Sequence, residues 1–280
     1  MMKRIITLQD ITCVGKCALT VALPVISAFG IEACPLPTAL LSNHTAFESF
    51  KVFDLHDKMQ EIIPELKKQG FSFDGIYSAY LGSKDQIDTV CAFIDEFKQE
   101  NSLVLVDPVM GDNGKLYTGF DADFPKEMQK LCKKADIIVP NVTEASFLLN
   151  KGGKLLYPDA NWLMLQMERL CELGPKVCVL TGVELNGKVG AAIYDKTTGE
   201  FYCYLKEKID RTFHGTGDLF ASTLFSALTK GFSNKDALKL AVEFTYEAMK
   251  ATVANKDACW YGVDFESVLP TLISMQNEIT

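Results

Sequence analysis

The sequence predicts an α/β protein with a mostly parallel central sheet, because two kinds of segment alternate along it. Short apolar runs rich in β-branched residues are typical of buried parallel strands. These predicted strands cover residues 5–8, 76–79, 103–106, 137–139 and 177–180. Between them lie longer segments whose apolar residues recur three and four positions apart, as they do in amphipathic helices. These predicted helices cover residues 55–69, 84–100, 124–133 and 160–173.

The order of these elements also predicts how they are layered. Parallel strands require a crossover connection, so the alternation favours a three-layer sandwich with helices on both faces of the sheet. Residues 189–206 differ, because two strand-like runs flank the turn-rich segment 195–200, and this predicts an antiparallel hairpin at the sheet edge. The C-terminal third predicts a helix capped by Asn234 and ending near Ala254, then a shorter helix over residues 265–275.

The composition is that of one globular domain spanning residues 1–280. Hydrophobic residues make up 48% and charged residues 23% of the chain, and no linker-like stretch separates halves of different composition. The formal net charge of -8 disfavours nucleic acid as a partner, because that binding depends on clustered Lys and Arg.

The cysteines and the apolar segments predict a cytoplasmic protein. The nine cysteines are scattered through mostly apolar segments without a CxxC pair, as expected of reduced core thiols. The N-terminus has too few apolar residues for a secretory signal. The longest apolar region, residues 18–31, is interrupted by Pro24 and Gly30 and is too short to span a bilayer, so no membrane partner is expected.

Polar residues follow the predicted strands at their carboxyl ends, where open α/β sheets bind ligands. These residues are Asp10, Tyr80, Asp107, Asn141 and Thr181. The alternative for any one of them is that it merely ends a strand. Residues 107–114, however, place two carboxylates and two glycines in one predicted loop, which indicates a metal and nucleotide site.

A glycine-rich turn opens a predicted helix at His214-Gly-Thr-Gly-Asp218. The first amides of a helix have no partner within it, and together with the helix dipole they can hold an anion such as a transferring phosphoryl group. Asp218 at the rim of this turn could accept the proton of an attacking hydroxyl group. The alternative is that Thr216 or Asp218 only caps the helix. No GxxxxGK[ST] loop is present, and no GxGxxG follows the first strand, which disfavours a dehydrogenase.

Several short motifs together resemble the pyridoxal kinases, which phosphorylate vitamin B6 compounds and belong to the ribokinase-like superfamily. The similar segments run in the same order over nearly the whole chain. They are Leu8-Gln-Asp-Ile-Thr-Cys-Val-Gly15, Leu41-Ser-Asn-His-Thr45, Ser78-Ala-Tyr-Leu-Gly-Ser83, Asp107-Pro-Val-Met-Gly111, Pro140-Asn-Val-Thr-Glu144 and Gly215-Thr-Gly-Asp-Leu-Phe220. The GTGD string is common to the superfamily, whereas SNHT, YLGS and DPVMG are typical of the vitamin B6 branch.

The resemblance implies a role for each matching residue. Asp218 resembles the catalytic base, and Gly215, Thr216 and Gly217 resemble the anion hole. The pocket for the pyridine ring is implied at Asp10, Thr45, Ala46 and Tyr80, with Asp218 beside the reacting hydroxyl group. ATP binding is implied at Asp107, Val139, Asn141, Glu144 and Thr181, and magnesium at Asp107 and Glu144. His44 and His214 are expected to make structural hydrogen bonds.

The implied activity is ATP-dependent phosphorylation of the 5'-hydroxymethyl group of pyridoxal, pyridoxine or pyridoxamine, which feeds salvage of pyridoxal 5'-phosphate. The resemblance further implies Mg2+, a monovalent cation such as K+, and a homodimer. One position departs from the family: Asp10 stands where many members carry a small hydroxyl residue. A buried carboxylate there is expected to favour pyridoxamine, whose aminomethyl group is cationic. The alternatives are a hydroxymethylpyrimidine kinase of thiamine synthesis and a non-catalytic protein that binds a vitamer.

Overall fold

A computed structural model describes residues 2–154, 156–157 and 159–279 of the protein. The chain divides into two compact units. The first comprises Met1–Gly75 with Ile209–Thr280, and the second comprises Ile76–Lys208. One kinase domain spanning residues 1–280 therefore stays a prediction.

The first unit contains both ends of the chain. Its strands are β1 (Arg4–Thr12), β2 (Glu32–Leu41) and β3 (Val52–Asp54). Its helices are α1 (Leu19–Ala28), α2 (His56–Lys68), α7 (Thr216–Lys230), α8 (Asn234–Ala254) and α9 (Leu269–Ile279), with a 3-10 turn at Glu266–Val268. Strand β1 pairs in parallel with β2, and β2 pairs antiparallel with the short strand β3.

Helix α7 is the buried helix of the first unit. Every residue from Leu219 to Thr229 is buried, and the helix packs against α1 and α8. A helix enclosed in this way holds its N-terminus in a fixed position. It ends at Gly231, whose φ of 98° is the left-handed conformation common after a helix C-terminus.

The second unit carries most of the strands. They are β4 (Gly75–Ser78), β5 (Leu103–Val106), β6 (Gly111–Asp112), β7 (Lys115–Leu116), β8 (Ile137–Ile138), β9 (Val177–Leu185), β10 (Lys188–Asp195) and β11 (Glu200–Glu207). Its helices are α3 (Lys84–Phe97), α4 (Phe124–Cys132), α5 (Val142–Leu148) and α6 (Ala160–Cys171). The sheet order here is β11-β10-β9-β8-β5-β4, with β5, β8 and β9 parallel and β9, β10 and β11 antiparallel.

The predicted strands and crossover helices are confirmed, including the edge hairpin of β10 and β11. The predicted cap of α8 is wrong: Asn234 is its first residue, and Ser233 caps it by accepting a hydrogen bond from the Asp236 amide at 3.1 Å. The last helix begins at Leu269, after the 3-10 turn, and not at residue 265. The loop predicted at residues 107–114 contains strand β6, which pairs with β7 directly after the loop in an antiparallel hairpin.

The cysteines are free thiols, as predicted, but only three of them are fully buried: Cys132, Cys171 and Cys178. Cys13 is exposed, because it lies in the loop that follows β1. No helix within the described residues is long and apolar enough to cross a membrane.

Candidate active site

The glycine-led turn forms as predicted at the start of α7. Gly215 is the N-cap, and its φ of 76° is a conformation that a glycine adopts without strain. A side chain at this position would also collide with the protein, since a Cβ atom would lie 2.1 Å from the carbonyl oxygen of Lys16. Gly217, in contrast, faces open space, with no atom within 4 Å of a Cβ built there. The turn therefore leaves room for a ligand beside its backbone.

No side chain caps α7, so the alternative that Thr216 or Asp218 serves as the helix cap is wrong. The Asp218 amide bonds its own carboxylate, and the positive end of the helix dipole favours an anion beside the amides that precede it. Asp218 lies in this first turn.

Asp218 is held in an environment that suits a proton acceptor. Its side chain is only partly exposed, and burial raises the pKa of the carboxyl group to about 6, with the negative charge of Asp10 as a further cause. A hydrogen bond from the Ala18 amide acts in the opposite direction and lowers the pKa. The carboxylate is therefore mostly ionised at neutral pH, but its basicity is well above that of an exposed aspartate.

Asp10 lies within β1 and not after it, which corrects its predicted position. The register between β1 and β2 shifts between Gln9 and Ile11, and an irregularity of this kind re-aims a side chain. The carboxylate is buried, with 6% exposure, and its Oδ2 accepts a hydrogen bond from the Thr12 hydroxyl at 2.7 Å. Burial raises the pKa of Asp10. Its partners include the Thr12 hydroxyl and its own backbone amide.

The Leu41–Thr45 motif places its last residues at an exposed turn of the first unit. The Ala46 amide donates a hydrogen bond to Nδ1 of His44 at 3.0 Å, which agrees with a structural role for this histidine. The rings of His44 and His214 lie 4.7 Å apart, and burial followed by the nearby His214 lowers the pKa of His44. This contact brings Thr45 and Ala46 near the residue that precedes the glycine-led turn.

In the second unit, Asn141 and Glu144 form a capping box at the start of α5. The Asn141 side chain accepts hydrogen bonds from the amides of Thr143 and Glu144, and its Nδ2 donates to the Gly111 carbonyl at 2.9 Å. The Glu144 carboxylate accepts from the amides of Asn141 at 2.8 Å and Met110 at 3.1 Å. Burial raises the pKa of Glu144 to about 8. These bonds fix the segment that follows Asp107.

The other predicted nucleotide residues surround this capping box. Val139 is buried, and its amide donates to the Val106 carbonyl at 3.0 Å. Thr181 lies within β9 and forms a bridge with Asn141, so its predicted position after the strand is wrong. Asp107 directly follows β5 and is 7% exposed. Tyr80, which the resemblance assigns to the pyridine pocket and not to ATP, follows β4, and its ring lies 6.0 Å from that of Phe120.

The described residues contain no group of three or more His, Cys, Asp or Glu side chains that could hold a metal ion by itself. Asp107 and Glu144 are the two candidate carboxylates, and both oxygens of Glu144 accept hydrogen bonds from backbone amides. This donor set fits magnesium, because Mg2+ is commonly bound by one or two carboxylates together with substrate phosphates and water.

A match to a protein-family model shows which family the chain belongs to. The model of the family described as phosphomethylpyrimidine kinase matches residues 22–260. The chain belongs to this family. The curated relatives of the chain include pyridoxal kinases. The enzyme from Bos taurus is 30% identical over 92% of this chain and 86% of its own length.

Solved structures agree with the family and confirm the ribokinase-like α/β fold. A protein from Bacteroides thetaiotaomicron, provisionally described as a phosphomethylpyrimidine kinase and crystallised with pyridoxal, is 38% identical and has a TM-score of 0.93. That match covers 97% of this chain and 96% of the other. The pyridoxal kinase of Lactobacillus plantarum is 27% identical with a TM-score of 0.89, and 99% of each chain is covered. The resemblance seen in the motifs is therefore confirmed.

Sequence reasoning missed three residues that shape the surroundings of Asp218. Thr12 donates to Asp10, the Ala18 amide donates to Asp218, and the Lys16 carbonyl lies against Gly215. The last two act through backbone atoms, for which no side-chain pattern exists. The only sequence signal is their place in a short loop that follows the first strand.

Proposed function

We propose that this protein is a pyridoxal kinase that transfers the γ-phosphoryl group of ATP to the 5'-hydroxymethyl group of a vitamin B6 vitamer. The observation that carries the proposal is the pairing of a glycine-led helix start with a carboxylate whose pKa is raised to about 6. The relatives named pyridoxal kinase, and the neighbour crystallised with pyridoxal, support the vitamer as the acceptor.

The reaction uses Asp218 as the general base. As the vitamer oxygen forms its bond to the γ-phosphorus, the bond from that phosphorus to the β,γ-bridging oxygen breaks, and ADP leaves. Asp218 takes the proton of the hydroxyl group. The amides of Gly215, Thr216 and Gly217 stabilise negative charge on the transferring oxygens, and this electrostatic contribution is a large part of phosphoryl-transfer catalysis.

The remaining roles are assigned by chemistry and by resemblance. Val139, Asn141 and Thr181 contact ATP, and Asp107 holds Mg2+ directly. Glu144 acts on the metal through the segment whose amides it binds. Magnesium, when bound with ATP, offsets charge on the phosphates. Potassium is a further cation to test, since the resemblance implies a monovalent ion.

The vitamer lies against Thr45, Ala46 and Tyr80 in this proposal, with Asp10 beside the substituent at ring position 4. Pyridoxamine carries a cationic aminomethyl group there, whereas pyridoxal and pyridoxine are neutral at that position. A hydrogen bond to a charged partner is worth about 1.5 to 3 kcal/mol. A bond of this kind between Asp10 and the aminomethyl group would favour pyridoxamine over the two neutral vitamers.

The test is a comparison of substrates under one set of conditions. ADP formation is measured with ATP, Mg2+ and K+ for pyridoxal, pyridoxine, pyridoxamine and hydroxymethylpyrimidine, with Asp218→Asn as the inactive control. Turnover of the vitamers with kcat/KM well above that of the pyrimidine is expected. A strong preference for the pyrimidine would instead establish a hydroxymethylpyrimidine kinase, the alternative that the description of the matching family favours. Vitamer binding without any ADP formation would establish a non-catalytic protein.

We also propose that the protein is a cytoplasmic homodimer. The free thiols support a reducing compartment. The edge formed by β2 and β3 exposes Leu40, Val52 and Phe53, and the segment between these strands exposes Phe50. Exposed apolar residues of this kind are typical of interfaces between copies. Light scattering after size exclusion is expected to give twice the 31.0 kDa chain mass. Phe53→Glu is expected to reduce this to the mass of one chain.

A further inference from the structure

The loop from Cys13 to Ala18, called the 13–18 loop below, contains two residues in an unusual backbone conformation. Lys16 has a φ of 44° and Ala18 has a φ of 49° with ψ of -130°. Residues other than glycine and asparagine rarely adopt positive φ, because the Cβ atom then crowds the backbone. Such residues persist where the surrounding contacts determine the conformation.

The backbone of the 13–18 loop contacts the catalytic turn at two points. The carbonyl oxygen of Lys16 lies against Gly215, so close that any Cβ atom there would be 2.1 Å away. The amide of Ala18 donates a hydrogen bond to the carboxylate of Asp218. Both contacts depend on the strained conformation, because they are made by the two residues with positive φ.

The side chain of Lys16 extends to the C-terminal part of the first unit. Its Nζ forms ion pairs with Oδ1 of Asp264 at 2.8 Å and with Oε2 of Glu266 at 3.0 Å. The side chains of Lys16 and Asp264 are 20% and 14% exposed, so solvent screens this pair less than a surface pair. The aliphatic part of the Lys16 side chain packs on Gly262. A Cβ atom added at Gly262 would lie 2.4 Å from the Cβ of Lys16.

The acceptor of this ion pair is itself fixed. The Asn255 side chain donates to Oδ2 of Asp264 at 2.6 Å, and the Asp264 amide donates to the Thr252 hydroxyl at 2.8 Å. Thr252 lies in the last turn of α8, a helix that packs against α7. The ammonium group of Lys16 is therefore anchored to the same helical layer that carries Asp218.

We propose that Lys16 is a positioning residue, whose ion pairs with Asp264 and Glu266 hold the 13–18 loop in the conformation that keeps the Ala18 amide on Asp218 and the Lys16 carbonyl against Gly215. This inference rests on the proposed function, since it assigns the loop a task in setting the catalytic base.

The consequence of releasing Lys16 follows from the groups that face Asp218. Without the tether, the loop relaxes toward negative φ, and the Ala18 amide leaves the carboxylate. The pKa of Asp218 then rises, because that hydrogen bond lowers it, while burial and the charge of Asp10 still raise it. The thiol of Cys17 also faces this carboxylate, but burial and both aspartates raise its pKa far above neutral, so it adds no charge.

The test compares Lys16→Met with Lys16→Arg and with Lys250→Met, a control that removes an exposed ion pair to Glu247 on α8. Values of kcat and KM are measured from pH 5 to 9, and the Asp218 pKa is read independently by carbon-13 NMR of the labelled carboxyl group. Lys16→Met is expected to lower kcat about 10-fold to 100-fold and to move both the acid limb of kcat and the NMR pKa upward. The KM for ATP is expected to change less than kcat. Lys16→Arg and Lys250→Met are expected to behave as wild type.

A Lys16→Met protein with wild-type kcat and an unchanged Asp218 pKa would overturn the proposal. So would an equal loss in Lys16→Arg, because arginine preserves the ion pairs. If Lys16→Met does not fold, Glu266→Gln provides a milder release, and the same upward shift is required of it. A wild-type enzyme that phosphorylates no vitamer would refute the proposed function, but the NMR comparison would still decide whether Lys16 sets the pKa of Asp218.

Discussion

Replacing Asp218 by asparagine is expected to abolish most activity and to stabilise the folded protein. The pKa of this carboxyl group is raised from an ordinary value of 3.8 to about 6, so the folded state favours its protonated form. Each factor of ten in acid dissociation corresponds to about 1.4 kcal/mol. Carrying the charge at pH 8 therefore costs the folded state up to about 3 kcal/mol, and less to the extent that solvent reaches the carboxylate.

The difference in stability between wild type and Asp218→Asn should depend on pH. A carboxyl group with a raised pKa contributes stability below pH 3.8, and that contribution is lost as the pH rises through about 6. Asp218→Asn has no charge to lose, so its free energy of unfolding should exceed that of wild type by an amount that grows from pH 4 to pH 7. In the same protein, kcat should fall by about 10² to 10⁴.

The assay is urea unfolding of wild type, Asp218→Asn and the control Asp88→Asn at pH 4, 6 and 8. Asp88 is an exposed residue of α3, and its replacement should change stability little at any pH. The reasoning would be refuted if Asp218→Asn were no more stable than wild type at pH 8, or if its gain were the same at pH 4. Either result would mean that burial does not disfavour the ionised carboxylate.

Three further outcomes are expected. Asp107→Ala should raise the magnesium concentration needed for half-maximal rate more than it raises the KM for the vitamer, and an unchanged magnesium titration would contradict its assignment. Glu144→Ala should do the same and should also lower the melting temperature, because it leaves the amides of Met110 and Asn141 without their acceptor. Asp10→Ser should reduce a preference for pyridoxamine by about tenfold to a hundredfold, as judged by kcat/KM for the three vitamers; an unchanged ranking would exclude Asp10 from the pocket.

The parallel strands and their crossover helices could be predicted because their signals are local. Each predicted strand is a short apolar run, and the buried face of each helix repeats at helical spacing. Strand β2 was missed, because Pro35 and Pro37 argue against a strand. Both prolines precede the residues of β2 that pair with β3, and they stand opposite Thr7 and Gln9 of β1 in the parallel register.

Site residues could be predicted where a sequence motif marks them. They could not be predicted where a backbone atom makes the contact. Gly215 and Asp218 stand in a glycine-rich string that indicates an anion site, and both lie as expected at the start of α7. The amide of Ala18 reaches Asp218 only because the chain turns back after β1 with positive φ at a non-glycine residue. Residue identity gives no indication of such a turn, since alanine disfavours it.

The proximity of Asp10 to Asp218 links substrate choice to catalysis. Burial raises the pKa of both carboxyl groups, and the charge of Asp10 raises that of Asp218 further. Two nearby carboxylates that repel each other favour a ligand that brings positive charge. A cationic aminomethyl group at Asp10 would offset the repulsion, lower the pKa of Asp218, and so favour the ionised base. A serine at position 10 would leave Asp218 without this repulsion and without the preference for a cation. In the proposed pocket, the identity of residue 10 would therefore set both which vitamer is favoured and the pH at which Asp218 acts on it.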